Sequence, residues 1–392
     1  MKNNSYIEKL DISKTLLWKG RGTILGRLDI ELTERCNNNC IHCCINLPAD
    51  DSVARDKELS TAEIKNILKE AASLGCLSVR FTGGEPLLRE DFEELYIFSR
   101  KSGLKVILFT NATLITKHLA DLFSRIPPLE KIEVSVYGVK KESYEGVTRS
   151  PGSFAAAQRG IKLLLEKKIP FVVKGALLPY NKDEIEEFKA FAKKIPGMDK
   201  PPSYSMFFDL RCRPGGKKNE AIKKLRATAE QGLEILTRRK DEYLKGMKEF
   251  CSKFIGPSGD KLFSCGGGCN GGCVDAYGKF QLCMMLRAPD TVYNLRKGSL
   301  KEAMENFFPR IREIKASSSE YLKRCARCFL KGLCEQCPAK SWTESGILDT
   351  PVEYLCEIAH SQARFLGLLS GSEYGWEVIN WQERIANLAN RL

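Results

Sequence analysis

Between residue 27 and about residue 210, short apolar runs alternate with longer amphipathic stretches. Few architectures satisfy that pattern. The runs Leu28–Leu32, Ser78–Phe81, Val106–Phe109, Ile132–Val136, Phe171–Leu177 and Tyr204–Phe208 read as strands. Helical segments from Ser60, from Asp91, and near 116–125, 153–168 and 183–194 separate them. The first of these opens on Ser60-Thr61-Ala62-Glu63, a capping box that satisfies backbone N–H groups at a helix start. Strands joined by crossover helices are parallel, and six are too few to close an eight-stranded barrel. The expected fold class is therefore α/β, with an open, partial (β/α)6 barrel whose active residues sit at the C-terminal strand ends. A basic helical stretch over 217–248 completes the last repeat. Beyond it glycines and cysteines crowd 264–283 and the periodicity is lost. At 392 residues the chain suits two domains rather than one. We divide it into an N-terminal extension (1–26), the barrel (27–248), a small irregular cysteine-rich domain (249–360) and a C-terminal helical tail (361–392).

Sixteen cysteines are unevenly spread: four within 36–44, four within 265–283 and five within 325–356, with Cys76, Cys212 and Cys251 apart. No signal peptide opens the chain and no run of 18 apolar residues occurs. A cytoplasmic location without membrane contact is expected, where bunched thiols read as metal or cluster ligands rather than disulfides. Cys36-Asn-Asn-Asn-Cys40-Ile-His-Cys43 follows the first strand directly. Three thiolates on one loop can hold three irons of a 4Fe–4S cluster and leave the fourth without a protein ligand. Zinc is the alternative, with Cys44 or His42 as its fourth ligand.

This C-x3-C-x2-C triplet resembles the signature of the radical S-adenosylmethionine (SAM) superfamily, and downstream residues are similar to that family's other motifs. Gly83-Gly84-Glu85-Pro86 ends the second strand, where the family holds the SAM amino group; bare glycines admit the ligand, and Glu85 would accept from its ammonium. Thr110-Asn111-Ala112 ends the third strand in the place of the family's TNG, and Ser135 ends the fourth where relatives contact SAM. Lys174 on the fifth strand is a weaker candidate. Relatives carry an Arg for the SAM carboxylate near a Pro-Gly-Ser-Phe segment; here Thr148 holds that place, and Arg149 is the substitute expected.

The C-terminal cysteines resemble the SPASM pattern. Twelve residues separate Cys265 from Gly278 and four separate Gly278 from Cys283; Cys325, Cys328 and Cys334 follow, then Cys337 one residue early, then Cys356. The resemblance implies one auxiliary cluster on Cys325, Cys328, Cys334 and Cys356. A second would take Cys265, Cys283 and Cys337, completed by Cys269 or Cys273, with Cys251 not excluded. Zinc ribbons would want about 15–20 residues between the two C-x2-C pairs, and only five occur.

The resemblance implies three 4Fe–4S clusters and SAM as cofactors, a 5′-deoxyadenosyl radical made anaerobically, and hydrogen abstraction ending in an oxidation. Cys36, Cys40 and Cys43 would carry the catalysis. Most such relatives modify ribosomally made peptides, so a peptide substrate is expected, delivered by a separate leader-recognition protein because only 26 residues precede the first strand. Ferredoxin or flavodoxin would supply electrons. The alternatives are oxidation of a small alcohol, modification of a cofactor such as a tetrapyrrole, or a non-catalytic electron carrier. Met284 stands where sulfatase-maturing relatives have Asp, which argues against formylglycine formation. The net charge of +13 does not call for nucleic acid: over 217–248, ten Lys/Arg are interleaved with five Asp/Glu, as on a solvated helix face.

Overall fold

The computed structural model describes residues 25–198, 202–205 and 216–391. Six parallel strands form the expected series: β1 (Arg27–Thr33), β2 (Ser78–Gly83), β3 (Lys105–Thr110), β4 (Leu129–Ser135), β5 (Phe171–Ala176) and β6 (Ser203–Ser205). The sixth was expected to reach Phe208, and residues 206–208 lie outside the described residues, as do Cys212 and most of the N-terminal extension.

Alternation along each strand sorts the residues into two faces. On β1, Leu28, Ile30 and Leu32 are buried with Ile64, Leu68 and Phe92 in the main apolar core. Asp29, Glu31 and Thr33 point to the other, inner face. There Asp29 pairs with Arg80 of β2 at 3.0 Å, and Lys174 of β5 with Glu133 of β4 at 2.9 Å. The helix Thr61–Ser73 starts on the expected box, with the Ser60 hydroxyl and the Glu63 carboxylate each accepting from the other's backbone N–H.

The cysteine-rich segment departs from expectation. It is not irregular throughout, since it supplies three further strands to the same sheet: β7 (Gly271–Val274), β8 (Lys279–Gln281) and β9 (Tyr293–Asn294). The order is β9-β8-β7-β1-β2-β3-β4-β5-β6, with β7 parallel to β1 and the last two antiparallel. β1 is thus internal, hydrogen-bonded on both sides. Glycine allows this packing: a Cβ on Gly271 would stand 2.5 Å from the Arg27 carbonyl oxygen. Arg287, after β8, reaches the inner face and binds both Glu31 oxygens at 2.6 and 2.7 Å.

A second core gathers Cys251, Cys328, Phe329, Leu333, Ala363, Leu369 and Leu388. It joins the helix Lys240–Phe254 to the helices Glu353–Phe365 and Trp381–Arg391, so helices run across residues 248 and 360 without a break. No helix among the described residues is long and apolar enough to cross a membrane.

Candidate functional site

The loop carrying Cys36, Cys40 and Cys43 leaves β1 at its C-terminal end. Arg35–Cys36 and Leu47–Pro48 pair briefly and close its base. Beneath it, the buried Arg35 guanidinium binds Glu58 at 2.9 and 3.1 Å and the Ala49 carbonyl at 3.1 Å. From the side, Asn39 and Ile41 donate backbone N–H groups to the Thr148 and Val147 carbonyls, at 2.9 and 3.0 Å. Both anchors come from distant sequence, which is why the loop can be shaped without internal secondary structure.

The three thiols face one another closely enough for electrostatic coupling. Burial pushes the Cys36 thiol up to about 12, with the Glu85 carboxylate adding to it, and holds Cys40 well above the usual range, with Cys43 and Cys36 adding to it. Buried, mutually repelling thiolates persist only beside a strong cation, which is what a metal group supplies. Among the described residues no three His, Cys, Asp or Glu side chains converge on the point where one metal ion would sit. Thiolates that hold a cubane bind different irons and stand farther apart than ligands of a single ion. Burial also lowers His42 to about 4, and its ring lies edge-on to Tyr137, so at neutral pH it is an uncharged wall.

A cavity of about 340 Å³ opens over these thiols. Gly83, Gly84, Asn111, Ser135 and Lys174 line it, with Phe109 and Tyr137 among the apolar wall and Met284 from the cysteine-rich segment at its rim. Strand register explains the convergence, since Ser135 and Lys174 are cross-strand neighbours at the ends of β4 and β5. The Asn38 side-chain amide is 4% exposed, lines the same cavity and has no hydrogen-bond partner among the described residues. A buried amide left unbonded is costly, so the cavity is suited to a polar occupant.

Three sequence expectations need correction here. The Gly83-Gly84 pair does not only make room for a ligand: added Cβ atoms would stand 2.1 Å from the carbonyl oxygens of Thr33 and Arg35, so the glycines first let β2 cross the cysteine loop. Glu85 does not face the cavity. It is fully buried, accepting from the Thr110 hydroxyl and the Asn111 N–H at 2.8 Å and from the Leu87 N–H at 3.2 Å. Burial outweighs those bonds and raises its carboxyl to about 7. Its role is to tie the end of β2 to the end of β3, and Pro86 beside it is likewise buried and outside the lining. Arg149 caps the helix Lys141–Thr148 in a left-handed conformation, φ 51°, which turns it outward, exposed and away from the cavity. Lys174 is the cation that lines the cavity instead, its ammonium 3.0 Å from the Phe109 ring centre.

The C-terminal cysteines fall into two groups. Cys325, Cys328, Cys334 and Cys356 surround a small apolar hollow with Val352, His360 and Trp376. Burial pushes Cys325 up to about 11 and Cys328 and Cys334 to about 12, with the neighbouring thiols contributing. Their arrangement fits a four-thiolate cluster. Cys265, Cys269 and Cys283 are exposed on adjoining loops, where the Gly268 N–H bonds the Leu282 carbonyl at 3.1 Å, and Cys337 is electrostatically coupled to Cys283. Cys273 is not brought to this group. It is wholly buried on β7 among Glu31, Arg287, Asp29 and Asp275, because strand alternation turns it to the inner face. Cys251 is packed in the second apolar core. Sequence reading missed Met284 as a cavity residue and the inner-face charges. Only sheet register reveals the latter.

The family model of the radical SAM superfamily matches residues 30–192. The AdoMet-dependent heme synthase of Methanosarcina barkeri is 28% identical over 81% of this chain and 92% of that protein. The mycofactocin maturase of Mycolicibacterium smegmatis is 30% identical over 64% of this chain and 62% of that protein. Among solved structures, native anSMEcpe with bound AdoMet and Cp18Cys peptide superposes with a TM-score of 0.61 over 94% of this chain and all of that one, at 18% identity, which bears on the fold alone.

Proposed function

With the radical SAM superfamily model matching residues 30–192, we propose that this chain abstracts hydrogen from a substrate side chain reaching into the cavity and completes an oxidation through auxiliary iron–sulfur clusters. Cys36, Cys40 and Cys43 hold the first cluster. Bound there, the cluster and SAM supply reductive cleavage to a 5′-deoxyadenosyl radical. The chain's own groups do the positioning. Gly83 and Gly84 offer bare backbone to the SAM amino group, Asn111 and Ser135 offer side-chain polar atoms, and Lys174 takes the carboxylate in place of Arg149. His42, Tyr137 and Phe109 exclude water. Cys325, Cys328, Cys334 and Cys356 hold one auxiliary cluster; Cys265, Cys269, Cys283 and Cys337 hold the other.

The observation that carries the substrate reading is the cavity's size. About 340 Å³ is at the small end for a ligand pocket, so with SAM bound there an arm of the substrate would enter rather than a whole large substrate. A peptide side chain meets that requirement, and the similarity to the mycofactocin maturase favours a peptide. A separate leader-recognition protein would present it, and a ferredoxin or flavodoxin would bring the electron. A second reading has its own support. The match to the heme synthase spans nearly all of that protein, and a carboxylate arm of a tetrapyrrole would fit the same opening. Anaerobically reconstituted protein with SAM and dithionite should yield 5′-deoxyadenosine, and production above background should require the true substrate. Stimulation by a Cys- or Ser-rich peptide encoded beside the gene supports the first reading, and stimulation by an iron porphyrin the second. No 5′-deoxyadenosine under any condition removes both.

A further inference from the structure

Two cations, Arg324 and Lys331, line the hollow between Cys325, Cys328, Cys334 and Cys356, and Arg324 is the more firmly held. Arg324 Nη2 lies 3.8 Å from Cys356 Sγ. The same guanidinium is clamped by both Glu353 oxygens at 2.8 Å, by Glu320 at 2.8 Å, and by the Trp376 ring, 4.8 Å away. A side chain held at four points does not swing freely with the solvent. Trp376 and His360 also line the hollow, and His360 Nδ1 lies 2.7 Å from the Cys356 carbonyl oxygen, fixing the turn that presents this sulfur. Close packing adds to the fixity: a Cβ on Gly375 would stand 2.7 Å from Cys328 Sγ, so the segment before Trp376 seals the hollow on that side.

We propose that Arg324 is a positioning residue that sets the reduction potential of the group held by these four cysteines. This rests on the reading above that the four thiols hold a 4Fe–4S cluster. A fixed positive charge beside a ligating sulfur stabilises the state carrying one more electron, and a hydrogen bond to that sulfur acts in the same direction. Glu353 works against it. Its carboxylate is close enough to affect Cys356 and, together with Glu320, offsets the Arg324 charge, so the potential is set by an arginine opposed by carboxylates. At the other site the nearby Arg312 gives its Nη1 to the carbonyls of Cys265 and Gly267, at 2.7 and 2.6 Å, rather than to a sulfur. Lys340 supplies the positive charge that acts on Cys337 there.

The test is a potentiometric titration of the anaerobically reconstituted full-length protein, followed by electron paramagnetic resonance, with iron counted per chain. In Arg324→Gln one midpoint shifts to lower potential and the others stay. Arg324→Lys restores part of that shift. Glu353→Gln, at a side chain 62% exposed, shifts the same midpoint upward. Disturbed folding would not give opposite signs for the two neutralisations. Unmoved midpoints, or both variants moving in one direction with iron retained, overturn the assignment. Should Arg324→Gln lose iron, Glu353→Gln alone decides it by the sign of its shift. A Cys325→Ser/Cys356→Ser double variant separates the underlying reading: if it keeps the wild-type iron content, no cluster is held there and both claims go.

Discussion

At the residue scale, the cysteine triplet stands out because ligand chemistry constrains spacing, and spacing is written in the sequence. Glu85 and Arg149 were misread for the opposite reason: a motif gives the order of residues but not the direction in which a side chain leaves the backbone. The environment of Glu85 has a measurable consequence. Its carboxyl is raised from the ordinary 4.5 to about 7 by burial, so the folded chain binds that proton more tightly than the unfolded one. Its contribution to stability is complete below about pH 4.5 and is lost as pH rises through about 7. Relative to Glu85→Gln, the wild type should therefore lose about 2 kcal/mol between about pH 5 and about pH 7.5 in denaturant titrations. Parallel profiles would show that the carboxyl is not perturbed. Gly84→Ala tests the crossing beside it. With a Cβ 2.1 Å from the Arg35 carbonyl oxygen, we expect a loss of at least about 3 kcal/mol and no SAM binding by equilibrium dialysis.

At the scale of the element, β1 to β5 were readable from apolar runs of ordinary length, each followed by a helix. β7 was not. Gly271-Gly272-Cys273-Val274 has two residues without side chains and no alternation to detect, and it is a strand only because β1 and β8 hold it there. The same element bears on which cysteine is available on the Gly-rich loop. Cys273 points inward and Cys269 is exposed near Cys265. Cys273→Ser should keep the wild-type iron content while lowering the melting temperature, and Cys269→Ser should lower the iron content. The reverse pattern would return Cys273 to the ligand set. Ser60→Ala removes one side of a complete capping box and should cost about 1 kcal/mol without altering iron or SAM binding.

At the scale of the whole molecule, the sequence marked a change of texture near residue 264, and texture is not separability. Arg287 links the cysteine-rich segment to β1 through a buried ion pair with Glu31. Arg287→Met leaves that carboxylate buried without its partner, at a cost of about 3–5 kcal/mol, whereas Glu31→Gln/Arg287→Met should recover much of the loss. Equal losses in the single and double variants would mean that the pair does not couple the halves. A chain ending at residue 248 should fail to give soluble, SAM-binding protein, since one side of β1 would lose its hydrogen-bonding partner.

The internal place of β1 also bears on biosynthesis. The first strand among the described residues is flanked by one that emerges soon after it and by another near residue 271, so the sheet stays unfinished through most of translation. Met284, at the cavity rim, arrives later still. The nascent chain therefore exposes Cys36, Cys40 and Cys43 long before the strands on both sides of β1 exist, and under the proposed reading iron delivery is expected only once the sheet is complete.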